Sequence, residues 1–215
     1  MSKVIAIDGT FASGKGTLAK KLAEHFGYAY LDTGKLYRAV GLRALDAKTD
    51  MGDGKALAEL AAEINPTELD NPELKSGAVG AAASKVAVHT EVRAALYNFQ
   101  RNFAAKPGKN FKGAVLDGRD IGTVICPDAD VKLYVDAKPG VRAERRYKEL
   151  LSYGEGVTLE KVAADLAERD NRDQNRAEAP LKPAANAHLL DTTNLSIDAA
   201  FERAKTLIDL ILAQK

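Results

Sequence analysis

The sequence predicts an α/β fold in which helices cover a parallel five-stranded sheet, and three observations predict it. Short apolar runs alternate with segments whose apolar residues recur at helical spacing. The first run passes through a glycine-rich turn straight into a helix. Two further runs end on an aspartate, Asp32 and Asp117, and each is followed closely by an arginine, Arg38 or Arg119.

Taken in order, Lys3 to Ile7 (KVIAI) reads as a buried parallel strand. Leu18, Leu22 and Phe26 then mark a helix from Lys15, which Gly27 stops in a left-handed C-cap position. Tyr28 to Leu31 is a second strand, after which Thr33 is expected to cap a helix through Leu45. Ala56 to Ile64 is helical, Asn65 to Gly77 reads as loop, and two helices follow over Ala78 to Val88 and Thr90 to Ala105. Lys106 to Lys112 (KPGKNFK) is a turn between this stretch and strands at Ala114 to Asp117 and Val131 to Asp136. Pro139 suits a helix start, and the pattern runs to about Tyr153. After Gly154-Glu155-Gly156, Thr158 caps a helix to about Arg169. Leu189 to Asp191 is the last strand, and Ser196 caps a helix marked by Ile197, Phe201, Ala204, Ile208 and Ile211. The helix-only stretch from about 54 to 105 interrupts the alternation and is expected over the strand ends, where ligands bind in such sheets.

The 215 residues, 46% of them hydrophobic, suffice for one well-buried core. Lysine and arginine number 31 against 30 acidic residues, which argues against bulk electrostatic binding to nucleic acid but leaves room for a local basic cleft. A single cysteine, Cys126, excludes an intramolecular disulfide and reads as a small buried apolar residue. No signal-peptide pattern precedes the first strand, and no apolar run is long enough to span a bilayer. A cytoplasmic protein with no nucleic-acid or membrane partner is expected. So is a monomer, because no exposed apolar stripe is evident.

Gly9-Thr10-Phe11-Ala12-Ser13-Gly14-Lys15-Gly16-Thr17 lies between the first strand and the first helix. Glycines let successive N–H groups turn toward one anion, and the helix N-terminus adds positive dipole at the same point. Lys15 can reach the β- and γ-phosphates of a nucleotide, and Thr17 offers a hydroxyl to a phosphate oxygen or a magnesium-bound water. Gly16 occupies the position after the lysine where Ser or Thr usually stands, so no direct metal ligand is assigned; Mg²⁺ is expected only with ATP. Polyphosphate binding follows. The GKGT form favours nucleoside monophosphate kinases, and the absence of an NKxD tetrapeptide argues against a guanine-reading GTPase.

Asp32-Thr33-Gly34-Lys35-Leu36-Tyr37-Arg38 and Asp117-Gly118-Arg119-Asp120-Ile121-Gly122-Thr123 both leave strands at the carboxyl edge of the sheet, beside that loop. Arg38 and Arg119 there can clamp a phosphate by paired charged hydrogen bonds. Arg142, Arg145 and Arg146 share one helical turn, and Arg169, Arg172 and Arg176 share a helix face if the helix continues that far. A solvated ion-pair helix is the plain alternative for these arginines, small-residue packing for Ser84, and a loop hydrogen bond for Asp120.

With these residues in view, the sequence resembles the bacterial cytidylate kinase family. The matching stretches are IAIDG with GKGTLAKKLAEHFG, LDTGKLYRAV, ASKVA with VRAAL, LDGRDIGTVICPDADVKLYVDA, RAERR, and AERDNRDQNRAEAPLKPAANAHLLDTTNLSID. The resemblance implies a three-layer P-loop kinase fold with a helical monophosphate-binding subdomain and a mobile helical lid. On this chain it implies a core at about 1–50, 106–140 and 180–215, the subdomain at about 51–105 and the lid at about 141–179. It implies ATP and CMP or dCMP as substrates. Phosphate contacts fall on Arg38 and Arg119 with Thr33 and Tyr37 nearby, cytosine contacts on Ser84, Arg93 and Asp120, and ribose contacts on Asp173 and Arg176. Lys15, Arg119, Arg145 and Arg176 are the residues it implies for the transfer step. Base chemistry agrees: a carboxylate accepts from the cytosine N4 amine, and an arginine donates to N3 and O2. A kinase for UMP, AMP or shikimate, or a nucleotide-binding switch, remains the alternative.

Two features depart from the family pattern. Ala12 stands where a second glycine is usual, which is strained only if that position needs a positive φ. The stretch from about Asn65 to Gly80 is too short and strand-poor for the strand-rich insert of many members.

Overall fold

The computed structural model describes residues 2–214. Strands β1 (Lys3–Gly9), β2 (Ala29–Asp32), β3 (Gly113–Gly118), β4 (Val131–Asp136) and β5 (His188–Asp191) form one sheet in the order β2-β3-β1-β4-β5, with every neighbouring pair parallel. Asp32 pairs with Asp117, and Asp8 with Gly118, so three strands deliver their carboxyl ends at one level. Between β3 and β4 the chain crosses over β1, and the loops leaving the sheet on either side part to leave a crevice.

Period-two alternation divides the strand residues between two helical layers. Ile5, Ile7, Val115, Leu133 and Val135 pack against Leu18 and Leu22 of α1 (Lys15–Phe26) and Ala204 and Ile208 of α8 (Ile197–Ala213). Ala6, Ala114 and Leu116 face the other way and meet Ala104 of α5 (Thr90–Ala105) together with Ile121, Ile125 and Cys126. Both faces are covered, which is why these strands read as nearly continuous apolar runs.

A separate apolar cluster joins α2 (Thr33–Asp46), α3 (Gly54–Ala62), α4 (Gly77–Val86) and α5 through Leu36, Val40, Leu57, Val86, Val92 and Leu96. α6 (Pro139–Ser152) and α7 (Leu159–Asn175) form a hairpin beside it. Among the described residues no helix is long and apolar enough to cross a membrane.

Local chemistry explains most element ends. Gly27 closes α1 at φ 67°, Thr158 Oγ1 accepts from Lys161 N–H, and Ser196 Oγ accepts from Ala199 N–H. Three expectations need correction. Thr33 does not cap α2: it is the first helical residue, and its hydroxyl reaches across the sheet edge to donate to Asp117 O at 2.8 Å. α7 runs on to Asn175, and buried Asp173 in its last turns is held by Arg119 from the turn after β3 and faces Arg169 one turn back on the same helix. The stretch after α3 is not plain loop; it holds two 3₁₀ turns, Pro66–Asp70 and Pro72–Lys75, capped by Asn65 and Asn71. A π turn at Ile121–Ile125 was not expected at all. Its first two N–H groups, those of Ile121 and Gly122, donate to the Asp8 carboxylate at 2.7 Å each, a tertiary contact with no local signal.

Candidate active site

The phosphate loop leaves β1 under close constraint. A Cβ on Gly9 would stand 2.0 Å from the Val135 carbonyl oxygen, so only glycine lets β1 and β4 approach there. Thr10 Oγ1 then donates to Asp136 at 2.6 Å and Ser13 Oγ to Thr10 O at 3.0 Å. The loop's carbonyls are held from outside: Arg142 donates to Phe11 O at 3.2 Å, and Arg145 and the Thr192 hydroxyl to Ser13 O at 3.3 and 2.7 Å. Gly14 at φ 87° turns the chain into α1, whose first-turn N–H groups have no intrahelical acceptor. Ala12 sits at φ 60°, so the departure noted in the sequence falls where a side chain is strained, by roughly 1–2 kcal/mol.

Lys15 lies 3.6 Å from Asp117, with both side chains nearly buried. Burial, with Arg119 adding to it, pushes the Lys15 ammonium down to about 8. Burial and the neighbouring Asp32 carboxylate push Asp117 up to about 6, while Tyr30 donates to it at 2.6 Å. Asp32, Asp117 and Thr17 all border the same space as Lys15. Among the described residues no group of three or more His, Cys, Asp or Glu side chains is arranged to hold a metal by itself.

That space is a cavity of about 700 Å³, lined by the phosphate loop from Phe11 to Thr17 and by residues that follow β2 and β3 or stand on α4, α5, α6 and α7. Arg93 donates to Asp120 at 2.5 Å in a buried pair. Arg119 donates to Asp173 at 2.9 Å, and Arg169 stands 3.9 Å from the same carboxylate. Arg38 is anchored on Leu74 O at 2.5 Å. Burial lowers the pKa of Arg38, Arg169 and Arg176, that of Arg169 to about 9. Arg169 Nε and Arg176 Nη2 are buried without a hydrogen-bond partner, donors of the kind an anionic ligand would satisfy.

Every residue expected at the acceptor side, namely Thr33, Tyr37, Arg38, Ser84, Arg93, Arg119, Asp120, Asp173 and Arg176, borders the cavity that holds Lys15. Gly9 and Thr10 lie behind the loop rather than on the cavity wall, held by β4. The arginines divide. Arg145 and Arg146 border the cavity, whereas Arg142 turns away into a two-bond pair with Asp170 at 3.1 and 2.7 Å. Arg176 is not on the helix face with Arg169 and Arg172: α7 ends at Asn175, and Arg176 is its extended cap, donating to Ala179 O. Phe11 was legible only as a loop residue; its ring carries the Arg169 guanidinium at 4.0 Å and that of Arg146 at 5.4 Å. Asp8, Asp32 and Thr192 were missed as site residues. The two aspartates ended apolar runs beside the motifs, while Thr192 lies within the HLLDTTNLSID match with no local pattern of its own.

A family model described as "Cytidylate kinase" matches residues 5–210. A cytidylate kinase of Rhodopseudomonas palustris is 53% identical over 210 residues, covering 98% of this chain and 97% of that protein. One from Caulobacter sp. is 51% identical over 214 residues (100% and 97%), and one from Rhizobium meliloti 49% identical over 215 residues (100% of both). Among solved structures, that of an uncharacterized protein from Eubacterium ventriosum superposes with a TM-score of 0.53 at 16% identity, covering 96% of this chain and 98% of that one. At that identity the likeness concerns the fold alone.

Proposed function

The chain belongs to the cytidylate kinase family, and on that premise we propose how its cleft carries the γ-phosphoryl group of ATP to CMP and dCMP, giving ADP and the diphosphate. One observation carries the assignment of roles: Lys15 and the acceptor-side trio Arg38, Arg119 and Asp120 line one cavity.

In this reading the N–H groups of the loop from Phe11 to Thr17 and the Lys15 ammonium hold the ATP phosphates. The guanidinium groups of Arg38 and Arg119 seat the CMP phosphate. Arg93 donates to cytosine N3 and O2 and Asp120 accepts from N4, with Ser84 beside them. Tyr37 and Thr33 shape the floor, and Asp173 with Arg176 meets the ribose. An oxygen of the CMP phosphate forms a bond to the γ-phosphorus as the bond to the β–γ bridging oxygen breaks, and ADP departs. The attacking oxygen is already anionic, so no general base is assigned. Charge on the transferring group is met by Lys15, Arg119, Arg145 and Arg176. Mg²⁺, when bound with ATP, supplies further neutralisation of the β- and γ-oxygens. The donor set suits it: two carboxylates, Asp32 and Asp117, and the Thr17 hydroxyl are hard oxygen ligands that would act on its waters.

The proposal includes a division into core (about 1–50, 106–140, 180–215), acceptor subdomain (about 51–105) and lid (about 141–179). The packing of α3, α4 and α5 around one apolar cluster supports the acceptor subdomain, although that cluster also takes in Leu36 and Val40 of α2, from the residues assigned to the core. It also includes a cytoplasmic monomer acting on metabolic nucleotides. A coupled ADP-release assay across CMP, dCMP, UMP and AMP tests the reading. At limiting acceptor, CMP and dCMP should be used well and UMP and AMP poorly; equal use of UMP would overturn the base assignment.

A further inference from the structure

Three contacts join the α6–α7 hairpin to α4, and they fall on one face of that helix. Glu155, in the turn between α6 and α7, accepts from Gly77 N–H at 2.7 Å. Arg169 donates to Gly80 O at 3.3 Å, and Arg172 Nε donates to Ser84 Oγ at 3.1 Å. Positions 77, 80 and 84 follow the three- and four-residue spacing of one helical stripe. The fit is close: a Cβ on Gly77 would stand 2.6 Å from Glu155 Oε2. Two of the contacts use α4 backbone, which carries no information about a ligand. The third is between side chains, and it lands on a cavity residue that is 2% exposed.

A serine hydroxyl has one O–H and two lone pairs. In mid-helix it is prone to turn back onto the carbonyl four residues earlier, here Gly80 O. The charged Arg172 N–H occupies one lone pair and holds the oxygen in place, leaving the O–H and the other lone pair for whatever fills the cavity. Arg172 is itself braced by Glu168, one turn back on α7, so its Nε is aimed before any ligand arrives.

We infer that Arg172 is a positioning residue for acceptor-base recognition: through Ser84 it presents the hydroxyl to the pyrimidine and ties base reading to the seating of α7 on α4. The inference rests on the proposed base site. By linkage, a base that orders Ser84 also strengthens the seating of α7.

The test is a double-mutant cycle on the full chain. Wild type, Arg172→Met, Ser84→Ala and the double variant are compared for kcat and KM with CMP, UMP and ATP, with melting temperatures alongside. Arg172→Met should raise the CMP KM about tenfold, as loss of a charged hydrogen bond does, and narrow the preference for CMP over UMP. The ATP KM should hold. In the Ser84→Ala background the same substitution should add little, because its partner is gone. Should Arg172→Met melt early, Arg172→Gln, which keeps an N–H donor without the charge, carries the same cycle. Equal cost with and without Ser84, or a change confined to kcat and the ATP KM, would overturn the inference. A wild-type enzyme indifferent to UMP and CMP would instead overturn the base assignment, while the cycle still reports whether Arg172 and Ser84 are coupled.

Discussion

Arg93 and Asp120 meet at 2.5 Å, with side chains 9% and 6% exposed, so that each neutralises the other at the wall of the cavity that holds Lys15. Removing Arg93 leaves the Asp120 carboxylate buried, with Arg176 at 3.9 Å as its remaining ion-pair partner. Arg93→Ala should therefore destabilise the fold by about 3–5 kcal/mol as well as abolish CMP use. Asp120→Asn removes charge but keeps shape. It should lower kcat/KM for CMP far more than for UMP, since the amide can turn a donor toward O4 of uracil. Denaturant unfolding and paired kinetics on the two acceptors check both.

With Lys15 on the ATP phosphates as proposed, ATP binding should depend on pH. The Lys15 ammonium is held down to about 8 by burial, with Arg119 adding to the effect. Below that value the charged form meets the phosphates directly. Above it the free protein has lost the proton, and binding must take it back. Affinity for ATP should fall by about tenfold per pH unit above pH 8 until the pKa of the complex is reached. Calorimetric titration at pH 9 in buffers of different ionisation heat should show net proton uptake; proton release would contradict the assignment.

Asp8, near the end of β1, holds the turn that follows β3. Its carboxylate, 3% exposed, takes the N–H groups of Ile121 and Gly122, directly after Arg119 and Asp120. Asp8→Asn is nearly isosteric but presents an NH₂ to one of those N–H groups, a mismatch costing about 1–3 kcal/mol. The CMP KM should rise more than the ATP KM, and thermal melting should show the lost stability. Equal changes in both KM values would mean that Asp8 serves the phosphate loop instead.

Ala12 holds a left-handed conformation at φ 60°. Ala12→Gly relieves the Cβ strain, and glycine gives back part of that gain through its larger unfolded-state entropy, so a net stabilisation of about 0.5–1 kcal/mol is expected. The melting temperature should rise with turnover retained. A lower melting temperature would show that the methyl group packs usefully.

Arg142 and Arg145, neighbours on α6, should respond in opposite ways. Arg142 is 3% exposed and bridges Asp170, Ala137 O and Phe11 O, so Arg142→Ala should cost about 3 kcal/mol of stability. Arg145 borders the cavity and donates to Ser13 O and to Thr192 but pairs with no carboxylate, so Arg145→Ala should cost less stability than Arg142→Ala while lowering turnover by orders of magnitude. Unfolding curves beside single-turnover rates separate the two roles.

How far the site was legible depended on the range of the interactions involved. The loop from Gly9 to Thr17 could be read because its chemistry is local: glycines, a lysine and a helix start within one stretch of chain. Arg38, Arg119 and Asp120 could be read because parallel strands must end at the same edge of the sheet. By contrast, the three arginines of α6 look alike in sequence, and Arg142 is set apart by Asp170, which lies on another helix. For Ser84 only the family resemblance pointed to the base, and the residues around it read as small-residue packing, because its partner Arg172 sits 88 positions away.

The order of elements, the anion-binding turn and the family were thus decided by the sequence alone, since periodicity, capping and motif spacing act between near neighbours. The tertiary structure alone decided which guanidinium groups pair with carboxylates and which stay free for a ligand, where α7 stops, and that Ala12 is strained. Those outcomes depend on charges and backbones brought together from opposite ends of the chain, and their energies exist only once burial has removed the water between them.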